Sequence, residues 1–217
     1  PPSRKAIEEA REASLDTPLI LLVGAFLFLF VGAELSFGNW IYTYARASGI
    51  GSVTSSAYLT SFFWGALTLG RLFSIPIATR FKISDILLAD LLCGIASVSL
   101  VLLFPGSTAV VWAGTFLTGF AFASVFPTMF SLASANMAVT GKVSGWLLFG
   151  SGAGGMVLPW IIGQLFESVG PQVTIQAILI DIILTMVVFL AILVVLRRRR
   201  LAREALSLQP AGSGSQE

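Results

Sequence analysis

Four ionisable side chains interrupt long apolar stretches of this sequence, and their chemistry stands out. Glu34, Arg71, Asp90 and Asp181 lie among aliphatic and aromatic residues. A charge in such surroundings is expensive, so it persists where it is paired, is reached by water, or binds a ligand or a proton. We therefore treat each of the four as a candidate functional residue.

Glu34 lies in the segment 31–40 (VGAELSFGNW), in which Asn39 and Trp40 follow within two helical turns. Carboxylate and amide groups exchange hydrogen bonds with sugar hydroxyls, and a tryptophan ring covers the apolar face of a sugar. The three side chains therefore predict a sugar-binding site. The alternative is structural: a protonated Glu34 satisfied by a neighbouring helix, with Asn39 and Trp40 at a membrane interface, where tryptophan is common.

Arg71 precedes the basic loop 80–82 by nine residues, and Asp90 follows that loop by eight. On antiparallel helices the two side chains reach a similar depth, and a buried charge persists when it is paired. We predict an Arg71–Asp90 ion pair with a structural or gating role. The alternative is that Arg71 extends its head group to the membrane interface.

Asp181 follows Gln172 by nine residues, near the middle of an otherwise apolar segment. Three interpretations are open for its carboxylate: an ion pair, a bound proton, or contact with the hydroxyl groups of a neighbouring helix.

Pro127 lies inside a long apolar segment and removes one backbone hydrogen bond there. Ser124, Thr128 and Ser131 follow one another at spacings of four and three residues, which places their hydroxyls on one helix face. This pattern predicts a kinked helix that lines a cavity or acts as a hinge. Packing of hydroxyl groups between helices explains the pattern equally well.

The composition excludes several chemistries. The chain has no histidine and a single cysteine, Cys93, so it cannot by itself form a His/Cys zinc site, a Ser–His or Cys–His nucleophile pair, or a disulfide. The Gly141-Lys142 step is followed by Val143, so the phosphate-binding pattern GxxxxGK[ST] is absent from the sequence. We predict a protein that is not an enzyme, holds no cofactor and draws any energy it needs from a gradient.

Most of the 217 residues lie in apolar segments long enough to cross a membrane. The chain is 56% apolar and 11% charged, with a mean hydropathy of +0.90, against about 25% charged residues in soluble chains. A spanning helix needs about 20 apolar residues, and six segments satisfy this: 19–44, 53–79, 86–104, 109–137, 143–166 and 173–196. The short loops predict that consecutive helices pack as antiparallel neighbours. We therefore predict an all-α, polytopic membrane protein with six transmembrane helices.

Glycine is frequent in the fifth apolar segment, where Gly150 and Gly154 form a GxxxG spacing. Glycines at this spacing let two helices approach closely, and Pro159 is expected to bend the helix. We predict tight packing of this segment against another helix of the bundle.

Lysine and arginine residues are distributed unevenly between the two sides of such a bundle. Eleven lie in the N-terminal segment, the second and fourth loops and the C-terminal tail, and one, Arg46, lies on the opposite side. Basic loops stay in the cytoplasm, so both termini are predicted to be cytoplasmic. The predicted organisation is a cytoplasmic linker at 1–18, a six-helix bundle at 19–196 and a basic, disordered cytoplasmic tail at 197–217; the pattern does not identify the membrane.

Four motifs occur in an order and spacing that resemble the C-terminal half of a major facilitator superfamily transporter, over residues 19–196. They are Gly70-Arg71-Leu72 before the basic loop Arg80-Phe81-Lys82, the Phe126-Pro127-Thr128 kink, and the glycine-rich segment that ends Leu158-Pro159-Trp160-Ile161-Ile162-Gly163. Val31-Gly32-Ala33-Glu34, with Gly38 and Trp40, further resembles the seventh helix of the branch that holds the fucose/glucose/galactose proton symporters and the sodium-dependent glucose transporter-like proteins.

The resemblance implies roles for particular residues. The first and fourth spans would line the substrate cavity, which points to five side chains: Glu34, Asn39, Trp40, Thr128 and Ser131. Gly70, Arg71 and Arg80, with Asp90 as the predicted partner of Arg71, would form the cytoplasmic gate. The family has twelve helices in two halves, so we expect a fragment of a longer protein, in which Pro1 to Asp16 ends the central linker.

The function that follows is membrane transport of a small solute, a monosaccharide with sodium or a proton as coupling cation, by alternating access in the complete protein. The expected partners are the missing N-terminal half or a second copy, and the lipid membrane. Two alternatives are a six-helix channel and a membrane scaffold or sensor that does not transport.

Overall fold

The computed structural model describes the backbone of residues 4–207 and the side chains of residues 17–202. Within this range the chain folds into helices joined by short turns. The helices are α1 (Arg4–Ala47), α2 (Val53–Ala78), α3 (Ile83–Leu103), α4 (Thr108–Phe122), α5 (Val125–Asn136), α6 (Gly141–Val169) and α7 (Gln172–Ser207). Residues 1–3 and 208–217 lie outside the described part of the chain.

The described residues contain six helical segments that are long and apolar enough to cross a membrane. α4 and α5 together make one of them, Thr108–Asn136, and the other five helices supply one each. The predicted all-α fold with six spans is therefore confirmed.

The two ends of the bundle are helical for longer than the sequence indicated. α1 begins at Arg4, within the predicted linker, and α7 continues through the arginine run to Ser207. The prediction of disorder from residue 197 is therefore wrong as far as Ser207. Arginine, alanine, leucine and glutamate are good helix formers, and extending an existing helix avoids the cost of nucleation. The part of the tail from 208 onward lies outside the described residues.

Five spans form a ring in the order α1, α7, α3, α4–α5, α2, and α6 packs on the outside of α1. Buried phenylalanines fill the ring: the Phe30 ring of α1 lies 5.4 Å from the Phe122 ring of α4, and Phe37 lies 5.1 Å from Phe63 of α2. α1 thus contacts both its sequence neighbour α2 and the two last helices of the chain.

α2 and α3 make little contact with each other, so the prediction that all consecutive helices are neighbours is wrong for this pair. α4 lies between them because its glycines admit both. A Cβ atom at Gly119 would lie 2.5 Å from the Phe63 carbonyl oxygen of α2, and a Cβ at Gly114 would lie 3.3 Å from the Ser97 carbonyl oxygen of α3. Two helix backbones therefore reach α4 from opposite sides.

α6 approaches α1 more closely than side chains would allow. A Cβ atom at Gly154 would overlap the Phe28 carbonyl group of α1, lying 2.6 Å from its carbon, and Gly32 of α1 faces Gly154 in return. Gly150 makes an ordinary contact, 3.6 Å from the Gly24 carbonyl oxygen. The predicted close helix approach is therefore confirmed, with Gly154 at its tightest point.

Candidate functional site

Glu34 and Arg71 form an ion pair that joins α1 to α2. Arg71 Nη2 lies 3.7 Å from Glu34 Oε1, and the Glu34 side chain is 9% exposed while that of Arg71 is 56% exposed. A buried carboxylate is thus compensated by a guanidinium that remains accessible on its other side. Because a guanidinium carries five N–H donors, Arg71 retains donors for a second partner.

Asp90 is not the partner of Arg71, so the predicted Arg71–Asp90 pair is wrong. The Asp90 carboxylate instead accepts a hydrogen bond from the Ser124 hydroxyl, at the junction of α4 and α5. Equal depth from a shared loop does not bring the two charges together, because α4 separates α2 from α3. The partner of Arg71 comes from α1, far away in sequence.

The fourth span is broken at Ala123 and Ser124, which form a turn between α4 and α5. Pro127 has no N–H to donate to the carbonyl four residues earlier, that of Ala123. The helical hydrogen-bond pattern resumes one residue later, where the Thr128 N–H donates to the Ser124 carbonyl at 2.9 Å. The predicted kink is therefore a break that begins before the proline.

Gly70, the residue before Arg71, packs directly on this break. A Cβ atom at Gly70 would lie 2.6 Å from Ala123 Cβ and 2.9 Å from the Phe120 carbonyl oxygen. The break in the fourth span, the glycine and the paired arginine are therefore in mechanical contact.

Gly70→Ala is expected to destabilise the fold. Overpacking of a tight contact costs about 1–3 kcal/mol, and relief of the clash must move α2, which carries Arg71. Gly65→Ala on the same helix is the matched control, because Gly65 is exposed and a Cβ there meets nothing within 4 Å. Chemical unfolding of the two variants tests this; equal stability of the two variants would contradict it.

Asp181 of α7 is buried, with 6% of the residue exposed. Its carboxyl group lies against the backbone N–H of Ala33 on α1, the residue next to Glu34, and its Oδ2 atom has no hydrogen-bond partner among the described residues. The Thr185 hydroxyl donates to the Asp181 backbone carbonyl at 2.9 Å rather than to the carboxylate. The α1–α7 contact thus holds a second carboxylate, that of Asp181, at nearly the same height in the bundle as Glu34.

The structure does not bring the predicted sugar-binding residues of α1 together. Successive residues of a helix are turned by about 100°, and Asn39 is exposed while Glu34 is buried towards α2. Trp40 packs against α6, with its ring 5.3 Å from that of Phe166. Trp40 therefore serves helix packing at this point, and the binding roles of Asn39 and Trp40 stay predictions.

The other predicted residues lie at two further places. Thr128 is partly buried on α5, and the exposed Ser131 donates to the Pro127 carbonyl at 2.9 Å. Arg80 is exposed in the turn after α2. Hydrogen bonds and ion pairs of the described side chains do not connect these three residues to Glu34, and their roles also stay predictions.

A group of polar side chains lies where α1 ends and α7 begins, and it is not among the residues predicted from the sequence. The Tyr44 side chain, fully buried, lies next to Gln172 and Ser48. The sequence offered one signal, a tyrosine with polar residues close to it at the end of an apolar segment. Only the fold shows that this end of α1 meets the start of α7.

Three contacts fix the antiparallel register of α1 and α7. The Phe26 ring lies 6.2 Å from that of Phe189, Ala33 faces Asp181, and Tyr44 faces Gln172. The polar contacts therefore lie in the part of this interface that runs from Asp181 towards the end of the bundle carrying Arg46.

Comparison with known proteins gives similarity to membrane transporters. No protein-family model matches the chain. It is 34% identical over 151 residues to major facilitator superfamily domain-containing protein 4A of Danio rerio, covering 69% of this chain and 29% of that protein. It is 30% identical over 162 residues to sodium-dependent glucose transporter 1A of Mus musculus, covering 75% and 38%, and 26% identical over 163 residues to sodium-dependent glucose transporter 1 of Homo sapiens, covering 75% and 32%.

These findings define an all-helical, multi-pass membrane segment with six spans. The chain resembles members of the major facilitator superfamily, among them the proteins named major facilitator superfamily domain-containing protein 4A and sodium-dependent glucose transporter 1. It spans about a third of the length of these curated relatives.

Proposed function

We propose that the chain is the C-terminal half of a transporter that moves a small solute, a monosaccharide with a coupling cation, by alternating access. The observation that carries the proposal is the Glu34–Arg71 ion pair, in which a carboxylate buried in the bundle meets a guanidinium that is more than half exposed. The names of the sodium-dependent glucose transporter relatives support the choice of substrate class and cation.

The pair has the chemistry that a polyol ligand needs. Glu34 accepts hydrogen bonds, and the free N–H groups of Arg71 donate them, so one sugar can bind both partners at once. The pair also connects α1 to α2, and a solute that competes for either partner loosens that connection. Substrate binding and helix movement are thereby linked at one place, as alternating access requires.

The missing half is proposed to pack on α2 and α6. In the most apolar part of each of these two spans 22% of the residues are buried within the bundle, against 39–56% in the other four spans. Their outward faces carry large apolar side chains, including Phe73 of α2 and Trp160 and Met156 of α6. The chain's share of its relatives' length is consistent with a second six-helix unit, and a second copy of this chain is the alternative partner.

The orientation in the membrane is proposed from the basic residues. The end of the bundle that carries Lys142 and the arginine run would face the cytoplasm, and the Arg46 end would face the other side. The second and fourth loops would then be cytoplasmic, together with both termini.

Transport of labelled D-glucose by the full-length protein in proteoliposomes tests the function. A carrier saturates and shows counterflow, in which unlabelled glucose inside drives uptake of the label. A channel conducts without counterflow, and a scaffold or sensor gives no flux, so either result would contradict the proposal.

Glu34→Gln is expected to weaken apparent glucose affinity about tenfold in both exchange and net uptake, since a hydrogen bond to a charged group contributes about 1.5–3 kcal/mol. Glu167→Gln is the matched control, because Glu167 is exposed in the last turn of α6. Unchanged affinity in the Glu34 variant would remove Glu34 from the substrate site.

A further inference from the structure

α7 presents a line of buried polar side chains along one face. Thr174 and Thr185 are fully buried and Asp181 is 6% exposed. Spacings of seven and four residues place the three on the same side of the helix. A line of this kind inside an apolar span is costly, so it indicates a function at its one ionisable member, Asp181.

No basic side chain of the described residues compensates Asp181. On α1 the adjoining ionisable residue is Glu34, an acid already paired with Arg71. On α3 the carboxylates are those of Asp85, which is exposed, and Asp90, which accepts from Ser124, and the helix carries no basic residue. An ionised, unpaired carboxylate at this depth would cost several kcal/mol.

α6, the remaining helix packed on α7, does not compensate Asp181 either. Its ionisable residues are Lys142, in the first turn, and Glu167, in the last turn, and both are exposed to the surroundings of the bundle. Asp181 at the level of Ala33 lies between these two ends. The carboxyl group is therefore buried without a compensating basic side chain among the described residues, which favours the neutral acid.

The donor set around Asp181 fits a proton and not a metal cation. Hard cations such as Ca²⁺ take six or more oxygen ligands, whereas the Thr185 hydroxyl is turned to the backbone. In the described part of the chain, acidic and cysteine side chains nowhere form a group of three that could hold a metal. A proton needs a single oxygen, and the buried Oδ2 of Asp181 has no hydrogen-bond partner among the side chains and backbone that the structure describes.

We propose that Asp181 is the site at which this bundle binds a coupling proton, and that the α1–α7 contact at Ala33 responds to it. The inference rests on the proposed transport function and names its coupling cation. Hydronium in the water on one side transfers a proton to the carboxylate, which leaves a water molecule and the neutral acid; on the opposite side the same O–H bond breaks, and a water molecule accepts the proton and becomes hydronium. No electron transfer and no co-reactant is involved.

The polar side chains beyond Asp181 indicate the side of entry. Thr174 lies about 10 Å from Asp181 along the helix axis, and its buried hydroxyl has no hydrogen-bond partner among the described residues. Gln172, Tyr44 and Ser48 continue the line to the Arg46 end of the bundle. Towards the other end the α1–α7 contact is closed by the Phe26 and Phe189 rings. The proton therefore enters from the Arg46 end.

Binding changes the fit of the two helices. The neutral acid is compatible with the closed contact against Ala33, whereas the ionised form needs water and separates α7 from α1. Because Glu34 follows Ala33 on α1, such a separation reaches the Glu34–Arg71 pair directly. Proton release and movement of the solute-binding residues thus use the same helix.

Infrared spectroscopy tests the protonation of Asp181 without a transport assay. The full-length protein is labelled with carbon-13 at the aspartate side-chain carboxyl, and the C=O stretch of protonated aspartic acid is recorded at neutral pH. The wild type and the matched control Asp85→Asn are expected to show this band, and Asp181→Asn is expected to lose it. A band of unchanged size in Asp181→Asn would overturn the proposal.

Asp181→Glu covers the case in which the asparagine variant does not fold. It retains an acid, so the labelled aspartic acid band should disappear while an unlabelled glutamic acid band appears in its place. Persistence of the labelled band in this variant would equally overturn the proposal.

Transport of D-glucose in proteoliposomes tests the coupling. Asp181→Asn should lose accumulation driven by a proton gradient while retaining counterflow, and Asp85→Asn should retain both. Accumulation in Asp181→Asn at the wild-type level, or wild-type accumulation that follows a sodium gradient and ignores a proton gradient, would overturn the coupling role. A wild type that moves no glucose would contradict the proposed function, while the infrared band still decides whether Asp181 binds a proton.

Discussion

Replacing Arg71 by glutamine is expected to destabilise the protein by about 2–3 kcal/mol, because it leaves Glu34 buried without its compensating charge. Glu34→Gln should cost about 1 kcal/mol, since the Arg71 side chain is 56% exposed and water can solvate it once the carboxylate is gone. The double variant should cost less than the sum of the two, with a coupling of about 1–2 kcal/mol. Chemical unfolding of the full-length protein in detergent measures all three values.

Two controls make this result specific to the Glu34–Arg71 pair. Arg80→Gln removes an exposed arginine from the turn after α2 and should change stability by less than about 0.5 kcal/mol. Asp90→Asn combined with Arg71→Gln should be additive, because Ser124 and not Arg71 is bonded to Asp90. Additivity of the Glu34 and Arg71 variants, or coupling between Arg71 and Asp90, would contradict the observed pairing.

Gly154→Ala is expected to have the largest effect on stability of any single methyl addition in α6. The new Cβ would lie 2.6 Å from the Phe28 carbonyl carbon of α1 and closer still to its oxygen, and a backbone carbonyl cannot rotate away as a side chain can. Relief requires α6 to move off α1, at a cost of about 3 kcal/mol or more. Thermal unfolding of the purified protein measures the loss, together with the fraction of protein that remains non-aggregated after heating.

Gly152→Ala provides the comparison on the same helix. Gly152 is exposed, and a Cβ there meets nothing within 4 Å, so the exchange should be neutral or stabilise the helix by up to about 1 kcal/mol. Of two glycines only two residues apart, only Gly154 is thus predicted to lose stability on replacement by alanine. A Gly154→Ala variant as stable as the wild type would show that α6 does not approach α1 as described.

The spans could be predicted from the sequence because they depend on local composition. A run of about 20 apolar residues is costly anywhere but in a membrane or a protein interior. The polar residues between such runs mark the turns. Gly154 was also predictable, because its GxxxG spacing reports on the shape of one helix face and does not require knowledge of the partner.

The partners of the buried charges could not be predicted, because sequence distance from a loop gives depth and leaves the rotation of each helix unknown. Arg71 and Asp90 lie at similar depth, yet α4 lies between their helices, and Glu34 reaches Arg71 from α1. The same limitation applies to Asn39 and Trp40, which follow Glu34 in sequence but point in other directions around α1. The order of the helices in the ring determines which way each side chain faces, and that order depends on contacts between residues far apart in the chain.

The break at Ala123 and Ser124 turns the second part of the fourth span into a lever. At about 1.5 Å per residue α5 is roughly 18 Å long, so a tilt of roughly 10° at the break displaces its far end by about 3 Å. Gly70 rests against the fulcrum, and Asp90 holds the Ser124 hydroxyl there. A small rotation at two residues can therefore be converted into a displacement as large as a water molecule, without bending any other helix.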